Sequence, residues 1–531
     1  MEVYGTLEKA LEQNDIKNFQ TIYSNPENEN FKFEFSWDLA LLFSTYINKY
    51  STENRNESVD FLKKINQHLC ELYANPKEIY LVYLENSELL LKSGNFDHFI
   101  DLMQTIFLKS NIKFLTSSLQ SIFSLFNKHL SQIPSSTYQT LVELVLTFLT
   151  TLVQRFNESV QLKEMMTTFL IELFKHVYKN DLLDPKKELI IDKTIDFVKK
   201  INKNLFILII KFEERKSEFD KTALSLFTSY ILVKQSKLDY DYLNFPKVYQ
   251  NIFIFCEILK TLNRLFNDLN NELFVNSGLL ATKLLTERLD EKALTEEYLE
   301  LGPLVEHFES LFRTSVHAQF ESSRKLSNQI LKAEFNLFTR TARFYFIKYF
   351  YNFYSKGFES LNIYVLSYLM YLLKEEVNQS INLNEDFYMS KKSNLKKIFA
   401  LALGSKKLDV VKESSLVISL LSLIRLILLK DKTDKTGIHS QLKSQVTGFV
   451  HFIESCCEEN QTFYSVELKK LAQESEKCAE IKKTIKINHE VTSEPTKKEQ
   501  IQSTEASLQT INLIKSLNIR IEELYEEFRN K

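Results

Sequence analysis

The sequence predicts an all-α protein, a HEAT- or armadillo-like α-solenoid of stacked antiparallel helix pairs. Three observations lead to this class. Only eight of the 531 residues are glycine and seven are proline, whereas average usage is roughly 7 % and 5 %. Apolar residues recur every three and four positions over most of the chain, which is the helical period. Breakers such as Pro76, Pro134 and Gly302 leave intervals with room for two or three helices.

The scarcity of glycine and proline also limits the chemistry that the chain can perform. Strands, hairpins and phosphate-binding loops need these residues in their turns, so a sandwich, a barrel, a Rossmann enzyme or a kinase is not expected. The sequence contains no P-loop and no GxGxxG, HExxH, GxSxG or CxxC motif. We therefore expect a protein that is not an enzyme and that uses neither a cofactor nor a metal ion.

Charge and cysteine usage narrow the class of partner. The formal net charge is −2, without the basic excess that nucleic-acid-binding proteins show. The five cysteines are too scattered for a disulfide framework. We expect the adjacent Cys456 and Cys457 to be buried or idle thiols rather than zinc ligands. We expect a cytoplasmic protein, with a nuclear location also compatible, that neither binds nucleic acid nor inserts into a membrane.

The chain is expected to consist of four successive parts. Residues 1–380 form the N-terminal and central helical repeats, and residues 381–483 form the C-terminal repeats. Residues 484–507 are mostly polar, contain Pro495 and are predicted to be a flexible linker. Residues 508–531 form an amphipathic helix. Its apolar stripe consists of Ile511, Ile514, Leu517, Ile521, Leu524 and Phe528. We expect it to cap the last repeats, and the alternative is that it enters a partner's groove.

A run of aromatic side chains lies between Arg343 and Phe358, with Lys348 and Lys356 among the rings. We expect these rings mainly to fill the space between repeats, with tyrosine hydroxyls at the wet edge. Two alternatives stay open. The rings stack on single-stranded bases, which the net charge disfavours, or exposed tyrosines form a surface for a protein partner.

Arg425 is the one charged residue in the most apolar stretch, Leu416 to Leu429. This stretch is shorter than the roughly 18 residues that indicate a membrane span. An arginine in such a helix usually extends to the surface or pairs with an acid, and this structural role is our first expectation. The functional alternative is a bidentate contact with a carboxylate or with carbonyl groups of a partner.

Five short stretches carry a family resemblance through their order along the chain. They are Ser36 to Leu39 (SWDL), which holds the single Trp, Asn75 to Glu78 (NPKE), Leu420 to Asp431 (LLSLIRLILLKD), Thr436 to Ile438 (TGI) and Ile511 to Glu527. They resemble the glomulin family, in which the corresponding segments include Gly-Trp-Asn-Leu, LNLLRYLVIKD, Thr-Gly-Leu and Arg-Val-Glu-Glu-Leu. The resemblance covers both ends of the chain and not its centre.

The resemblance implies a HEAT-like solenoid whose C-terminal part binds the RING-box subunit of cullin–RING ubiquitin ligases. It would cover the RING surface that receives the ubiquitin-conjugating enzyme and so inhibit ubiquitination. Cullin and immunophilin-type proteins are further implied partners. The residues that the match assigns to RING binding are Phe387, Tyr388, Lys391, Lys392, Arg425, Lys430, Asp431 and Lys432. The chain departs from the family at residues 384–387. The family has a Trp preceded by basic residues, whereas this chain has Asn-Glu-Asp-Phe.

A second function needs only the repeat architecture. In this alternative the chain is an α-solenoid scaffold or adaptor in intracellular transport or vesicle tethering. Co-purification with coat, tether or nuclear-transport subunits would distinguish it from a ubiquitin ligase inhibitor.

Overall fold

The structure is a computed structural model in which the chain forms two compact units, Met1–Glu287 and Arg288–Lys531. The boundary that the sequence predicts at residue 380 falls inside a continuous helix, Ser360–Asn382. The described residues are 2–73, 75–92, 94–130, 132, 135–178, 185–202, 204–215, 220–237, 249–357, 360–383, 385, 387–388, 394–403, 409–479 and 497–529.

The first unit is built of α-helices that pack on their near neighbours along the chain. They are α1 (Glu2–Glu12), α2 (Ile16–Tyr23), α3 (Glu29–Glu34), α4 (Ser36–Thr52), α5 (Asn56–Leu72), α6 (Pro76–Glu85), α7 (Ser87–Lys92), α8 (Phe96–Lys109), α9 (Ile112–Leu130), α10 (Ser135–Arg155), α11 (Val160–Tyr178), α12 (Pro185–Ile201), α13 (Leu205–Glu214), α14 (Lys221–Lys237), α15 (Asn251–Leu262) and α16 (Glu272–Thr286). The main contacts among the described residues join helices within three positions of each other, as in α8 with α10 and α14 with α16. This sequential packing is typical of helical repeats.

The second unit repeats this pattern with longer helices. They are α17 (Gly302–His317), α18 (Glu321–Leu337), α19 (Arg340–Tyr354), α20 (Ser360–Asn382), α21 (Asn394–Ala402), α22 (Ser414–Lys430), α23 (Lys443–Ala479) and α24 (Lys497–Arg529). A short 3-10 helix, Glu296–Glu300, precedes α17. The strongest packing is α20 on α22, α23 on α24 and α22 on α24. Among the described residues one isolated β-bridge, Leu294 with Phe338, stands outside this helical arrangement. The predicted all-α, helical-repeat class is confirmed.

Local signals set several helix starts. The side chain of Asn75 accepts a hydrogen bond from the backbone N–H of Lys77 at 3.1 Å, and Pro76 takes the first position of α6. Proline fits there because the first helical N–H has no intrahelical acceptor. Asn271 caps α16 in the same way by accepting from the N–H of Phe274 at 3.2 Å.

Aromatic rings make up much of the core of each unit. In the first unit Phe123 of α9 stacks on Phe169 of α11, with ring centroids 4.3 Å apart. In the second unit Phe308 of α17 meets Phe346 of α19 edge-to-face at 4.8 Å. Such contacts add to the free energy of burying the rings themselves. In both units these phenylalanine rings join helices that are two positions apart along the chain.

The C-terminal helix α24 docks on α22 and α23, so its predicted role as a cap is confirmed. Ile511, Ile514 and Ile521 of its stripe are fully buried. The buried Asn518 also donates a hydrogen bond to the backbone C=O of Val450 at 2.9 Å. The predicted linker is wrong from residue 497 onward, because α24 begins at Lys497. Its alternating Lys, Glu, Gln and Ser are good or tolerated helix formers. Residues 484–496 lie outside the described residues.

None of the helices in the described part of the chain combines the length and apolar character required to cross a membrane.

Candidate interaction surface

Helix α22 separates an aliphatic buried face from a narrow exposed strip. The buried face, which includes Leu420, Ile424 and Ile427, packs on α20 and α24. Arg425 lies on the opposite side and is exposed. Arg425 forms no ion pair among the described residues. Of the two structural roles expected for Arg425, extension to the surface is confirmed.

Aliphatic side chains border this arginine on the same helix face. Leu429 follows Arg425 by one turn and is 40 % exposed. Ile418, Ser422 and Leu426 are partly exposed nearby on the helix. We call these five residues the Arg425 strip. A guanidinium within an apolar border is a common composition of protein-binding surfaces.

The basic residues assigned to RING binding do not all share this face. Lys430 and Lys432 are exposed. Lys430 is five residues from Arg425, which on an α-helix places it about 140° around the axis. A flat partner surface that covers Arg425 therefore meets Leu429 before it meets Lys430. Lys391 and Lys392 lie outside the described residues.

Asp431 does not belong to the surface, contrary to the prediction. Its side chain is buried, and its carboxylate accepts hydrogen bonds from the N–H of Lys435 at 2.9 Å and from Thr436. The following loop needs this acceptor because its backbone turns through left-handed conformations at Asp434 (φ 54°) and Gly437 (φ 77°). Asp431 therefore organises the end of α22 and is not available to a partner.

Tyr388 was also predicted to contact the partner, and this prediction is wrong. Its ring is fully buried. Burial, followed by the nearby charge of Glu376, raises the pKa of the Tyr388 phenol well above its usual value. Phe387 is partly exposed, and its ring meets Phe344 edge-to-face at a centroid distance of 6.2 Å. An ion pair between Arg340 and Glu385 ties the same segment to α19.

The aromatic run divides between the core and the surface. Phe344, Phe346 and Phe350 are buried, whereas Tyr345 and Tyr349 are exposed. The packing role is confirmed for the first group, and the second group keeps the alternative of a partner surface open. Sequence reasoning missed a group of glutamates that lies opposite these tyrosines. The acidic residues between Glu296 and Glu306 were the available signal.

The two cysteines whose side chains are described in the C-terminal unit, Cys456 and Cys457, are free thiols. Burial raises the pKa of Cys457 to about 11 and also raises that of Cys456. A different group could hold a metal ion by geometry: His451 and Glu454 of α23 with Glu522 of α24, whose ligand atoms lie within 4.8 Å of one another. Sequence reasoning missed it because Glu522 is distant along the chain. In the structure the imidazole of His451 stands 3.7 Å from Glu454, where it serves as a surface polar contact.

Comparisons with known proteins do not assign the chain to a family. No family model matches the sequence, and no curated protein is similar to it. Among solved structures, yeast importin-beta (Kap95p) matches 98 % of this chain and 68 % of its own length, at 10 % identity and a TM-score of 0.25. A circular tandem repeat protein matches 98 % of this chain and 96 % of its own length, at 11 % identity and a TM-score of 0.17. Scores this low carry no argument about function. The packing described above defines an all-α helical-repeat protein.

Proposed function

We propose that the chain is a non-enzymatic regulator that binds the RING-box subunit of cullin–RING ubiquitin ligases through its C-terminal unit. The observation that carries the proposal is the exposed guanidinium of Arg425, without an ion pair among the described residues, on the helix that resembles the family's LNLLRYLVIKD segment. A free guanidinium bordered by Leu429 and Leu426 suits a contact that excludes water around a charged hydrogen bond.

The burial of Asp431 and Tyr388 changes the residues that carry this proposal. Arg425 and Leu429 form its centre, the exposed Lys432 follows the end of the same helix, and the partly exposed Phe387 packs on α19. Removing one buried acid from the contact set leaves the proposed surface more basic than the sequence match implied. The proposed surface would therefore favour an acidic or carbonyl-rich patch on the RING subunit.

Inhibition requires only that this surface cover the patch where the ubiquitin-conjugating enzyme docks. Two proteins that compete for one patch exclude each other, and the degree of inhibition follows their concentrations and affinities. No catalytic residue is needed. An array of packed helices provides the large, preorganised surface that such competition uses.

The test combines a pull-down with purified RING-box protein and a ubiquitin-chain assay. We expect wild type to bind at micromolar concentration and to suppress chain formation. Arg425→Glu should weaken binding about thirtyfold, the effect of losing a central arginine contact. Lys469→Glu, the same charge reversal at an exposed position of α23, serves as the control. Absence of wild-type binding would sink the proposal, and an unfolded Arg425→Glu variant in circular dichroism would make Arg425 structural.

The alternative of a scaffold or adaptor in intracellular transport or vesicle tethering is supported by the sequential helix packing alone. Mass spectrometry of proteins co-purified with the full chain separates the two functions. Coat, tether or nuclear-transport subunits in place of cullins would favour the scaffold.

A further inference from the structure

A cleft of about 880 Å³ lies in the second unit between the 3-10 helix Glu296–Glu300, the start of α17 and the outer face of α19. Its one wall carries four exposed carboxylates, and its other wall carries two exposed tyrosine rings. This cleft is on α17 and α19 and does not include any residue of the Arg425 strip.

The acidic wall consists of Glu296, Glu297, Glu300 and Glu306. None of these four carboxylates forms an ion pair with a cation in the described part of the chain. Glu297 accepts one hydrogen bond, from the hydroxyl of Thr295 at 3.3 Å. Burial raises the pKa of the neighbouring Glu309, the positive charge of Arg313 lowers it, and the negative charge of Glu306 raises it. The wall therefore concentrates four carboxylates that have no ion-pair partner among the described residues.

The opposite wall carries Tyr345 and Tyr349, which lie one turn apart on α19 and are 46 % and 43 % exposed. Each ring meets a buried phenylalanine edge-to-face: Tyr345 meets Phe344 at 5.6 Å and Tyr349 meets Phe350 at 5.1 Å. The buried rings limit the orientations of the exposed ones. The electron-rich faces of the tyrosines are thus held in place at the cleft.

The charge balance of the cleft selects a cationic ligand. Lys348 is the one cation among the lining residues, against the four carboxylates. A phosphate-bearing ligand would be repelled by this wall. A lysine or arginine side chain would form two favourable interactions in the cleft. Its stem and charge are attracted to a tyrosine face, and its charge is attracted to a carboxylate.

We propose that this cleft binds an extended, lysine- or arginine-rich segment of a partner protein, with cationic side chains between the tyrosine rings and the glutamates. The spacing supports an extended segment. Tyr345 and Tyr349 are separated by four helical rises, about 6 Å. Alternate side chains of an extended peptide project from one face about 6.6 Å apart. Two cations separated by one residue therefore reach both rings together.

The test uses full-length protein and a fluorescein-labelled octapeptide of alternating lysine and serine, measured by fluorescence anisotropy. The matched probe replaces each lysine with glutamate. We expect the basic peptide to bind, the acidic peptide not to bind, and the affinity to fall as ionic strength rises, because exposed charges are screened by salt. Equal binding of the two peptides, or no binding of either, overturns the proposal.

Variants locate the binding in the cleft. The double variant Glu300→Gln, Glu306→Gln should weaken binding of the basic peptide about fivefold, since two exposed charge contacts are lost. The double variant Tyr345→Leu, Tyr349→Leu keeps the apolar bulk and removes the aromatic faces. It should weaken binding of the basic peptide about fivefold. Glu458→Gln and Phe463→Ala, at exposed positions of α23, should have no effect. Basic-peptide binding that the two cleft variants leave unchanged overturns the proposal. It would leave the RING-binding proposal untouched, because that proposal is tested by Arg425→Glu.

Discussion

Asp431 and Thr436 are joined by two hydrogen bonds at the end of α22. The Asp431 carboxylate accepts from the backbone N–H of Thr436 at 2.8 Å and from its hydroxyl at 2.6 Å. Both residues are buried. The carboxylate thereby satisfies backbone donors of a loop that carries His439 to the C-terminal helix, where its ring stacks on Phe528 at 3.5 Å. One buried acid thus links the end of α22 to the docking of α24.

Replacing Asp431 with alanine should therefore reduce stability and not simply alter a surface. The variant removes the acceptor of the Lys435 N–H and leaves the two donors of Thr436 buried without a partner, which we expect to cost about 3 kcal/mol of the free energy of unfolding. Urea unfolding followed by circular dichroism measures this. Lys432→Ala, at the exposed neighbouring position, should change stability by less than about 0.5 kcal/mol. Equal stability of the two variants would contradict the structural role of Asp431.

Substitutions of Tyr388 separate the contribution of its ring to stability from that of its hydroxyl. Its ring is fully buried, and its hydroxyl has no hydrogen-bond partner among the described residues. Tyr388→Phe should thus be neutral or slightly stabilising, since it removes an unsatisfied polar group. Tyr388→Ala should cost about 3–5 kcal/mol because it leaves a cavity. Thermal unfolding of both variants checks this, and a large loss in Tyr388→Phe would show that the hydroxyl is bonded.

The docking of α24 is tested by two isoleucines on the same helix. Ile521 is fully buried, whereas Ile519 is 56 % exposed. Ile521→Ala should destabilise the second unit by about 2–4 kcal/mol, and Ile519→Ala should leave its stability within about 0.5 kcal/mol of wild type. Urea unfolding curves of the two variants provide the comparison. If both substitutions cost the same, α24 does not dock by this face.

A buried polar chain in the first unit predicts sensitivity to acid. The amide nitrogen of Asn66 lies 3.3 Å from Nε2 of His98, and Asn66 also accepts a hydrogen bond from the hydroxyl of Tyr83 at 2.5 Å. Burial and, to a smaller extent, the charge of Lys63 lower the pKa of His98 to about 3, against the opposite effect of Asp97. The imidazole is therefore neutral in the folded protein at neutral pH.

The sign of the pH effect follows from this lowered pKa. The unfolded chain, with a histidine pKa near 6.5, takes up a proton in acid that folded His98 does not. The free energy of unfolding should therefore fall as pH decreases from about 6.5 towards 3, by about 3 kcal/mol at pH 4.5 for this group. His98→Gln should remove this share of the pH dependence. His68→Gln, at an exposed position of α5, should retain it, and an unchanged pH profile in His98→Gln would contradict the assignment.

Local patterns were sufficient for the class of fold and for several of its elements. The three- and four-residue spacing predicted helices because it places apolar side chains on one face, whatever lies opposite. The same spacing identified the buried stripe of α24 at Ile511, Ile514 and Ile521. Asn75 and Pro76 set the start of α6 locally, because a cap and a proline act within one turn. The polar composition of residues 497–507 was misleading, since solvent-exposed helices are polar too.

The sequence by itself determined that this chain is helical, that it contains no P-loop or GxGxxG motif, and which helix faces are apolar. Only the tertiary structure decided which polar residues of the predicted site face a partner. Arg425 reaches solvent, while Asp431 turns inward to the donors of its loop and Tyr388 is buried near Glu376. It also brought Tyr345 and Tyr349 opposite the glutamates at 296–306. The reason is physical: the free energy of placing a polar side chain depends on donors, acceptors and charges that other elements of the fold supply.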